Sequence, residues 1–397
     1  MFIKRGISEK ILQLSKYYPA VVITGARQVG KTTLLKKLFP EYQYVSLDVL
    51  SVAELAENSP DLFLKKYPAP LLIDEVQYAP KLFRHLKVRI DQNPDSVGQF
   101  ILTGSQKFSL MREVSESLAG RCGVIEMETL SALEIEGELK QIIKDQNETA
   151  LLARGMFPKL WKIPEFPHID FYQSYQSTYI ERDVRQIINI ISTRTFNLFM
   201  RAVTIRSGQM LNKIDLSKDI GVSAKSISNW LQILEASNQI TLLEPYFSNL
   251  SRRLVKSPKI YVNDTGLLCF MLGLDSNSLK EFHGIGHIWE VFVLSELRKL
   301  IEINFPQARL TFFRDQNSLE VDFLLELGGK IHLLEVKWTQ YPNAKDGRSL
   351  IKVAHDLGKQ TGRKFIICRS EETYVTDSDI IVIHGFKLGK ELPGILT

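Results

Sequence analysis

One stretch of this chain limits its fold more than any other. Ala20 to Thr24 reads AVVIT, Gly25 to Thr32 reads GARQVGKT, and Thr33 to Phe39 continues as TLLKKLF. The first segment has the apolar, β-branched character of a buried strand, and the last has the periodicity of an amphipathic helix. The eight residues between them fit the spacing G-x-x-x-x-G-K-[ST] in full. Gly25 and Gly30 allow the backbone to curl until several N–H groups face one point, at the positive end of the helix that follows. A loop of that kind cradles phosphate. Lys31 is expected to reach the β- and γ-phosphates of ATP, and Thr32 to offer its hydroxyl to Mg²⁺. Ala26, Arg27, Gln28, Val29 and Thr33 complete the expected nucleotide-binding set.

A second element belongs with the first. Leu71-Leu72-Ile73-Asp74-Glu75 is a buried-strand pattern that ends in two acids. Asp74 is placed to hold the Mg²⁺ shell, and Glu75 to polarise an attacking water. Two plain surface charges are the bland alternative, which the phosphate loop makes a poor one. Phe100 to Ser105 reads FILTGS, a neighbouring strand with hydroxyls at its tip. Thr103 or Ser105 is expected to bond the γ-phosphate or the water, although Thr and Ser also simply close strands. Hydrolysis needs a further cation near the γ-phosphoryl group, worth roughly 10³–10⁵ in rate. Arg121, Arg182 and Arg185 are the candidates, each with a surface ion pair as its alternative reading.

From Ala20 to about Met127 the strand candidates AVVITG, YQYVSLD, PLLIDE, QFILTG and GVIEME alternate with amphipathic stretches. This pattern implies a parallel α/β sheet with helices on both faces. We expect residues 1–130 to form that core, 131–211 a helical lid, 212–256 a winged helix-turn-helix and 257–397 a further α/β domain. The net charge of +5 over 397 residues permits nucleic-acid binding without arguing for it. Three scattered cysteines make neither a disulfide framework nor a metal-ligand pair. No apolar run approaches a membrane span, and the N-terminus lacks a hydrophobic signal core. A soluble, cytoplasmic protein is the expectation.

The helix-turn-helix reading rests on Leu216 to Leu231. Gly221 suits the tight turn, Ser223 can cap the second helix, and Ile227, Leu231 and Leu234 give that helix one apolar face. Lys225, Ser226, Ser228 and Asn229 lie on its other face, able to meet phosphates or base edges of DNA. Gln239 to Leu243 and the Arg252-Arg253-Lys256 cluster would supply a wing. Such modules also serve in packing and oligomerisation.

Near the C-terminus, Glu320 to Leu327 and Lys330 to Trp338 read as a hairpin about Gly328-Gly329. With the glycines at the turn centre, Leu327 faces Lys330, Asp322 lies opposite Glu335, and Glu320 lies opposite Lys337. Strand alternation puts these four on one face with Leu324 and Leu333, unless a bulge shifts the register. Opposed carboxylates repel, so either a divalent metal or the nearby lysine must compensate. The segment resembles the PD-(D/E)xK nuclease core, through Asp322 and then Glu335-Val336-Lys337, with Val321 in place of the proline. That resemblance implies acids binding Mg²⁺ (Asp322, Glu335, and Glu290 from a preceding helix) and Lys337 positioning or activating water. It is equally compatible with a scaffold that has lost cleavage.

Taken in order, GARQVGKT, LLIDEVQYAP, ILTGSQ, LAGRCGVIEM, YIERDV, YVNDTGLL and EVDFLL…LLEVKW resemble a prokaryotic family of AAA+ ATPases with a C-terminal domain of poorly known function. The resemblance covers nearly the whole chain and implies ATP binding, followed by winged-helix and nuclease-like modules. Asp264 and Gly266 of YVNDTGLL could equally be a simple turn. Two functions stay open: an ATPase acting on DNA, and a nucleotide-controlled switch that binds protein partners and cuts nothing. A small-molecule kinase would leave the other modules idle. A homo-oligomer is expected in either of the first two cases.

Overall fold

A computed structural model describes residues 2–105, 111, 113–114, 116–137, 141, 147–178, 192–246 and 256–396. The chain divides into two compact units, the first comprising Met1–Leu130 with Phe157–Lys162 and Ala236–Asn238, the second comprising the rest.

The five strand candidates of the first unit all form. They are β1 (Ala20–Thr24), β2 (Gln43–Ser46), β3 (Leu71–Asp74), β4 (Phe100–Gly104) and β5 (Cys122–Glu126). They make one sheet in the order β2-β3-β4-β1-β5, with every pairing parallel. Strands β1, β3 and β4 are buried at every position, which is why they read as unbroken apolar runs. Val22, Ile73 and Leu102 join Leu82, Phe83 and Leu86 of the helix Leu82–Gln92 in one core. Helix α1 (Lys31–Leu38) starts directly after the glycine loop. In a parallel sheet, ligands bind beyond the carboxyl ends of the strands, and the loop leaves β1 from that end.

In the second unit, the stretch expected to be helical contains helices Glu148–Arg154, His168–Tyr175 and Thr193–Ile205. Helix α2 (Lys213–Ile220) is capped by the Asn212 side chain, which accepts from the backbone N–H groups of Ile214 and Asp215. Gly221, at φ 76°, ends it. Ser223 then accepts from the Ser226 N–H at 3.1 Å, opening α3 (Ala224–Ala236). A three-stranded sheet follows, in the order β6-β8-β7, from β6 (Gln209–Met210), β7 (Ile240–Leu243) and β8 (Lys259–Val262). Strand β8 lies past the boundary expected at residue 256, yet it pairs antiparallel with both β6 and β7. Asp264 is more than a turn residue. It caps the helix Thr265–Leu272 and also accepts from Met156 N–H and the Tyr172 hydroxyl, all at 2.7–2.9 Å.

Helix α4 (Ile285–Asn304) is buried around most of its circumference. The C-terminal sheet contains β9 (Arg309–Arg314), β10 (Glu320–Leu327), β11 (Lys330–Val336), β12 (Thr361–Cys368), β13 (Tyr374–Val375) and β14 (Ile380–His384), in the order β13-β14-β12-β11-β10-β9. It is mixed. The β9-β10-β11 ladder is antiparallel, whereas β11, β12 and β14 run parallel. Between β11 and β12 comes helix Arg348–Leu357, the kind of crossover that parallel neighbours need. The β10–β11 register is Leu327↔Lys330 through Phe323↔Leu334, as the glycine turn requires. Gly328 and Gly329 sit at φ 58° and 75°, a backbone that side-chain-bearing residues adopt only with strain. A bulge does intervene, on the β9 side, between Val321 and Leu324. Those two residues, three apart, therefore share one apolar cluster, and strict alternation from Glu320 to Leu324 does not hold. Among the described residues, no helix is long and apolar enough to cross a membrane.

Candidate functional site

The glycine loop takes the shape its sequence calls for. A Cβ on Gly25 would stand 2.1 Å from the Met127 carbonyl oxygen, so only glycine lets the loop pass that close to the chain leaving β5. Gly30 holds φ 96°, and even Gln28 is driven to φ 64°, a conformation uncommon outside glycine. The Lys31 ammonium curls back to donate to the carbonyls of Gly25 and Ala26 at 2.8 and 2.9 Å. Burial pushes it down to about 8, against the pull of Glu75 and Asp74. Arg27 donates to the Tyr78 hydroxyl at 3.3 Å, Val29 is buried, and Thr33 is exposed on α1.

Asp74 is the hub of the site. The Thr32 hydroxyl donates to its Oδ2 at 2.8 Å, and Thr103 donates to its Oδ1. Parallel pairing of β1, β3 and β4 is what brings loop, acid and hydroxyl to one sheet edge. Glu75 follows at φ 56°, a left-handed turn that directs the chain out of β3. Its backbone N–H donates to the Thr103 hydroxyl at 3.1 Å. Its Oε2 accepts from the Ser105 hydroxyl at 2.9 Å, from the Ser105 N–H at 3.2 Å, and from Gln77. Thr103 and Ser105 thus hold the two acids in place.

Three residues of this site were not apparent in the sequence. The Tyr44 hydroxyl donates to Asp74 Oδ2 at 3.0 Å; burial, then the Asp74 charge, push its ionisation up to about 12. Strand β2 runs beside β3 with Ser46 at Asp74, and Tyr44 lies two residues back along the strand. Gln77 lies within LLIDEVQYAP, which by itself assigns it no role. Arg5 is buried and donates to the Val29 carbonyl at 2.8 Å and to the Glu128 and Thr129 carbonyls at 2.7 and 3.0 Å. It ties the loop to the segment after β5, and nothing in the sequence marks it.

Of the arginine candidates, Arg121 is not brought to the loop. It precedes β5, at the end of the sheet opposite the phosphate loop, a strand length of about 17 Å away. There it forms a forked ion pair with Asp91, at 2.6 and 3.1 Å. The surface-pair reading describes it within its own chain. Arg182 and Arg185 lie outside the described residues, as do Arg252 and Arg253 of the expected wing.

The C-terminal acids form a second polar cluster, and its centre is a residue that no motif singles out. Lys259 of β8 is only 3% exposed. Its Nζ lies 3.0 Å from Glu290 Oε1, 2.6 Å from Glu320 Oε1 and 3.7 Å from Asp322 Oδ1. Burial works against its charge, but Glu290, Asp322 and Glu320 together hold its pKa above the ordinary lysine value. Glu290 also accepts from the Tyr261 hydroxyl at 2.6 Å. Arg314 holds the second Glu320 oxygen at 2.6 Å, and Asp322 Oδ2 accepts from the Val336 N–H at 2.8 Å. Glu335 pairs instead with Lys337, at 2.7 Å. Burial first, then the Glu290 charge, raise Asp322 to about 6; burial and the Asp322 charge raise Glu335 to about 8.

In this arrangement Glu290, Asp322 and Glu335, the acids expected to bind a metal, are engaged with groups of the protein itself. Lys259 and Tyr261 share Glu290 Oε1, His287 Nδ1 lies 3.8 Å from Glu290 Oε2, and Lys259, Lys337 and the Val336 N–H take oxygens of Asp322 and Glu335, leaving Glu335 Oε2 as a buried oxygen without a partner. Among the described residues, no group of three or more His, Cys, Asp or Glu is placed to hold a metal ion. The lysine remedy for carboxylate repulsion is the one present, although it comes chiefly from Lys259 and not from Lys337. As it stands, the cluster does not fit a divalent cation.

Comparison with known proteins places this geometry among relatives. Residues 17–136 match the family model of the AAA domain. Residues 146–278 and 285–386 match two domains of unknown function, DUF8612 and DUF4143. An uncharacterized protein of Mycobacterium tuberculosis is 29% identical over 384 residues, 96% of this chain and 83% of that one; a Mycobacterium bovis protein matches equally. Among solved structures, a Walker-type ATPase of Pyrococcus abyssi is 15% identical, covering 68% of this chain and 96% of that chain, with a TM-score of 0.48. The ORC2 protein of Aeropyrum pernix, with ADPNP and ADP, is 13% identical, covering 76% and 95%, with a TM-score of 0.37. The segment that is similar to the AAA domain is the one that carries the complete phosphate loop on a parallel five-stranded sheet.

Proposed function

We propose that this protein hydrolyses Mg-ATP and couples turnover to contact with DNA. The observation that carries the hydrolytic part is the convergence of Thr32, Thr103 and Tyr44 on Asp74, beside a Glu75 carboxylate held by Ser105. Thr32 and Asp74 fit Mg²⁺, since they offer a hydroxyl and a carboxylate already in contact. Mg²⁺, when bound, would neutralise phosphate charge. Lys31 would leave its own loop's carbonyls for the phosphates, and Glu75 would orient water once released from Ser105. Acids at the strand end favour water over a small-molecule hydroxyl as the nucleophile. In a homo-oligomer, Arg121 would have to leave Asp91 to serve a neighbouring subunit's site.

The DNA part rests on α3, which exposes Lys225 and Asn229 on a helix entered through a tight glycine turn. Side chains of those types can meet phosphates and base edges. Release of phosphate from ATP, measured with and without duplex DNA at low salt, tests the coupling. Stimulation that Lys225→Glu abolishes is the expected result. The second reading, a switch that binds protein partners and cleaves nothing, is favoured by the lysine at the centre of the C-terminal acids. It predicts ATP turnover indifferent to DNA.

A further inference from the structure

We infer that Lys259 is a built-in counter-cation for the C-terminal acid cluster, filling the place among Glu290, Glu320 and Asp322 that a divalent metal would need. The inference is independent of the reading of the ATP site.

Several observations carry it. An ammonium donates up to three hydrogen bonds, and Lys259 Nζ has acids from three residues within 3.7 Å. Magnesium demands a near-octahedral shell of oxygens at roughly 2.0–2.1 Å, and the Glu290 and Glu320 oxygens already have other commitments. Tyr261, two residues along the same strand, donates to Glu290, so β8 supplies a lysine and a hydroxyl together. The Phe312 ring lies 5.5 Å from the ammonium, and Lys259 itself is only 3% exposed. A divalent cation added beside Lys259 would meet a fixed positive charge at close range. Lys259 also joins two sheets of the same unit, because β8 belongs to the three-stranded sheet and Glu320 and Asp322 belong to β10.

The consequence is chemical. Metal-assisted phosphodiester hydrolysis needs a cation that polarises phosphate and lowers the pKa of water. A protonated lysine held in ion pairs supplies neither an open coordination site nor a bound hydroxide. Through Glu290, Glu320 and Asp322 the C-terminal sheet therefore does not cut DNA by that route.

The test is Mn²⁺ binding to the full-length protein without nucleotide, followed by the electron paramagnetic resonance of free Mn²⁺. Wild type and Asp322→Asn are expected to bind the same number of ions, and Lys259→Ala to gain one equivalent. That equivalent should disappear in Lys259→Ala/Asp322→Asn. Mn²⁺ should also raise the melting temperature of Lys259→Ala by more than that of wild type. An equivalent bound by wild type and lost in Asp322→Asn would overturn the inference, as would a folded Lys259→Ala that gains no ion. If Lys259→Ala does not fold, the comparison of wild type with Asp322→Asn still decides.

Discussion

The Thr32 hydroxyl donates to Asp74 across 2.8 Å, joining the first turn of α1 to the tip of β3. Tyr44 donates to the same oxygen at 3.0 Å, so the acid expected to hold Mg²⁺ is oriented from two sides. A hydrogen bond to a charged group contributes about 1.5–3 kcal/mol. Tyr44→Phe should therefore raise the Mg²⁺ concentration for half-maximal ATP turnover by roughly tenfold, while Asp74→Asn abolishes turnover. A Mg²⁺ titration of the steady-state rate checks this. An unchanged midpoint would reduce Tyr44 to packing.

Gly25→Ala should destroy nucleotide binding and lower stability together. The added Cβ would stand 2.1 Å from the Met127 carbonyl oxygen, and φ 142° is foreign to alanine. Backbone strain alone costs about 1–3 kcal/mol, before the collision is relieved. Denaturant unfolding and binding of a fluorescent ATP analogue should both show the loss. Gly137→Ala, where a Cβ would meet nothing within 4 Å, should leave both nearly unchanged.

Much of the first unit was legible because local and global signals agree there. AVVIT, LLID and FILTG are buried at every position, and the glycine loop has one workable conformation. Tyr44 and Arg5 were not legible, for physical reasons. Their roles depend on which strand neighbours β3 and on where the chain passes after β5, which no local pattern encodes. The C-terminal hairpin register followed from two glycines, but the β10 bulge is set by pairing with β9 and broke the expected alternation. Lys259 was invisible for the same reason, since it reaches the acids from another sheet.

Lys259→Met shortens the side chain by one atom and removes its charge, leaving Glu290, Glu320 and Asp322 around an apolar tip. Breaking a buried pair by removing one partner costs about 3–5 kcal/mol. Unfolding by urea at neutral pH should show that loss. Adding Glu290→Gln should recover part of it, because one uncompensated charge disappears. Simple additivity of the two changes would mean that the residues do not interact.

His384 provides a stability change with pH. It is buried, its Nδ1 accepts from the Phe386 N–H at 3.1 Å, and burial holds it down to about 4. The unfolded histidine titrates near 6.5, so the folded state binds fewer protons between those values. Stability is complete above about 6.5 and is lost as pH falls toward 4. Between pH 8 and pH 5 the loss from this group should be about 2 kcal/mol. Comparing urea unfolding of wild type and His384→Asn at the two pH values isolates it; equal pH dependence would contradict the assignment.

The most direct test of the whole account is the rate of phosphate release from Mg-ATP by the purified protein, with and without duplex DNA at low salt, alongside Lys31→Ala. The account predicts turnover in wild type, stimulation by DNA, intact DNA throughout, and no turnover in Lys31→Ala. A wild-type protein that binds ATP but releases no phosphate under either condition, or one whose turnover survives Lys31→Ala, would contradict it.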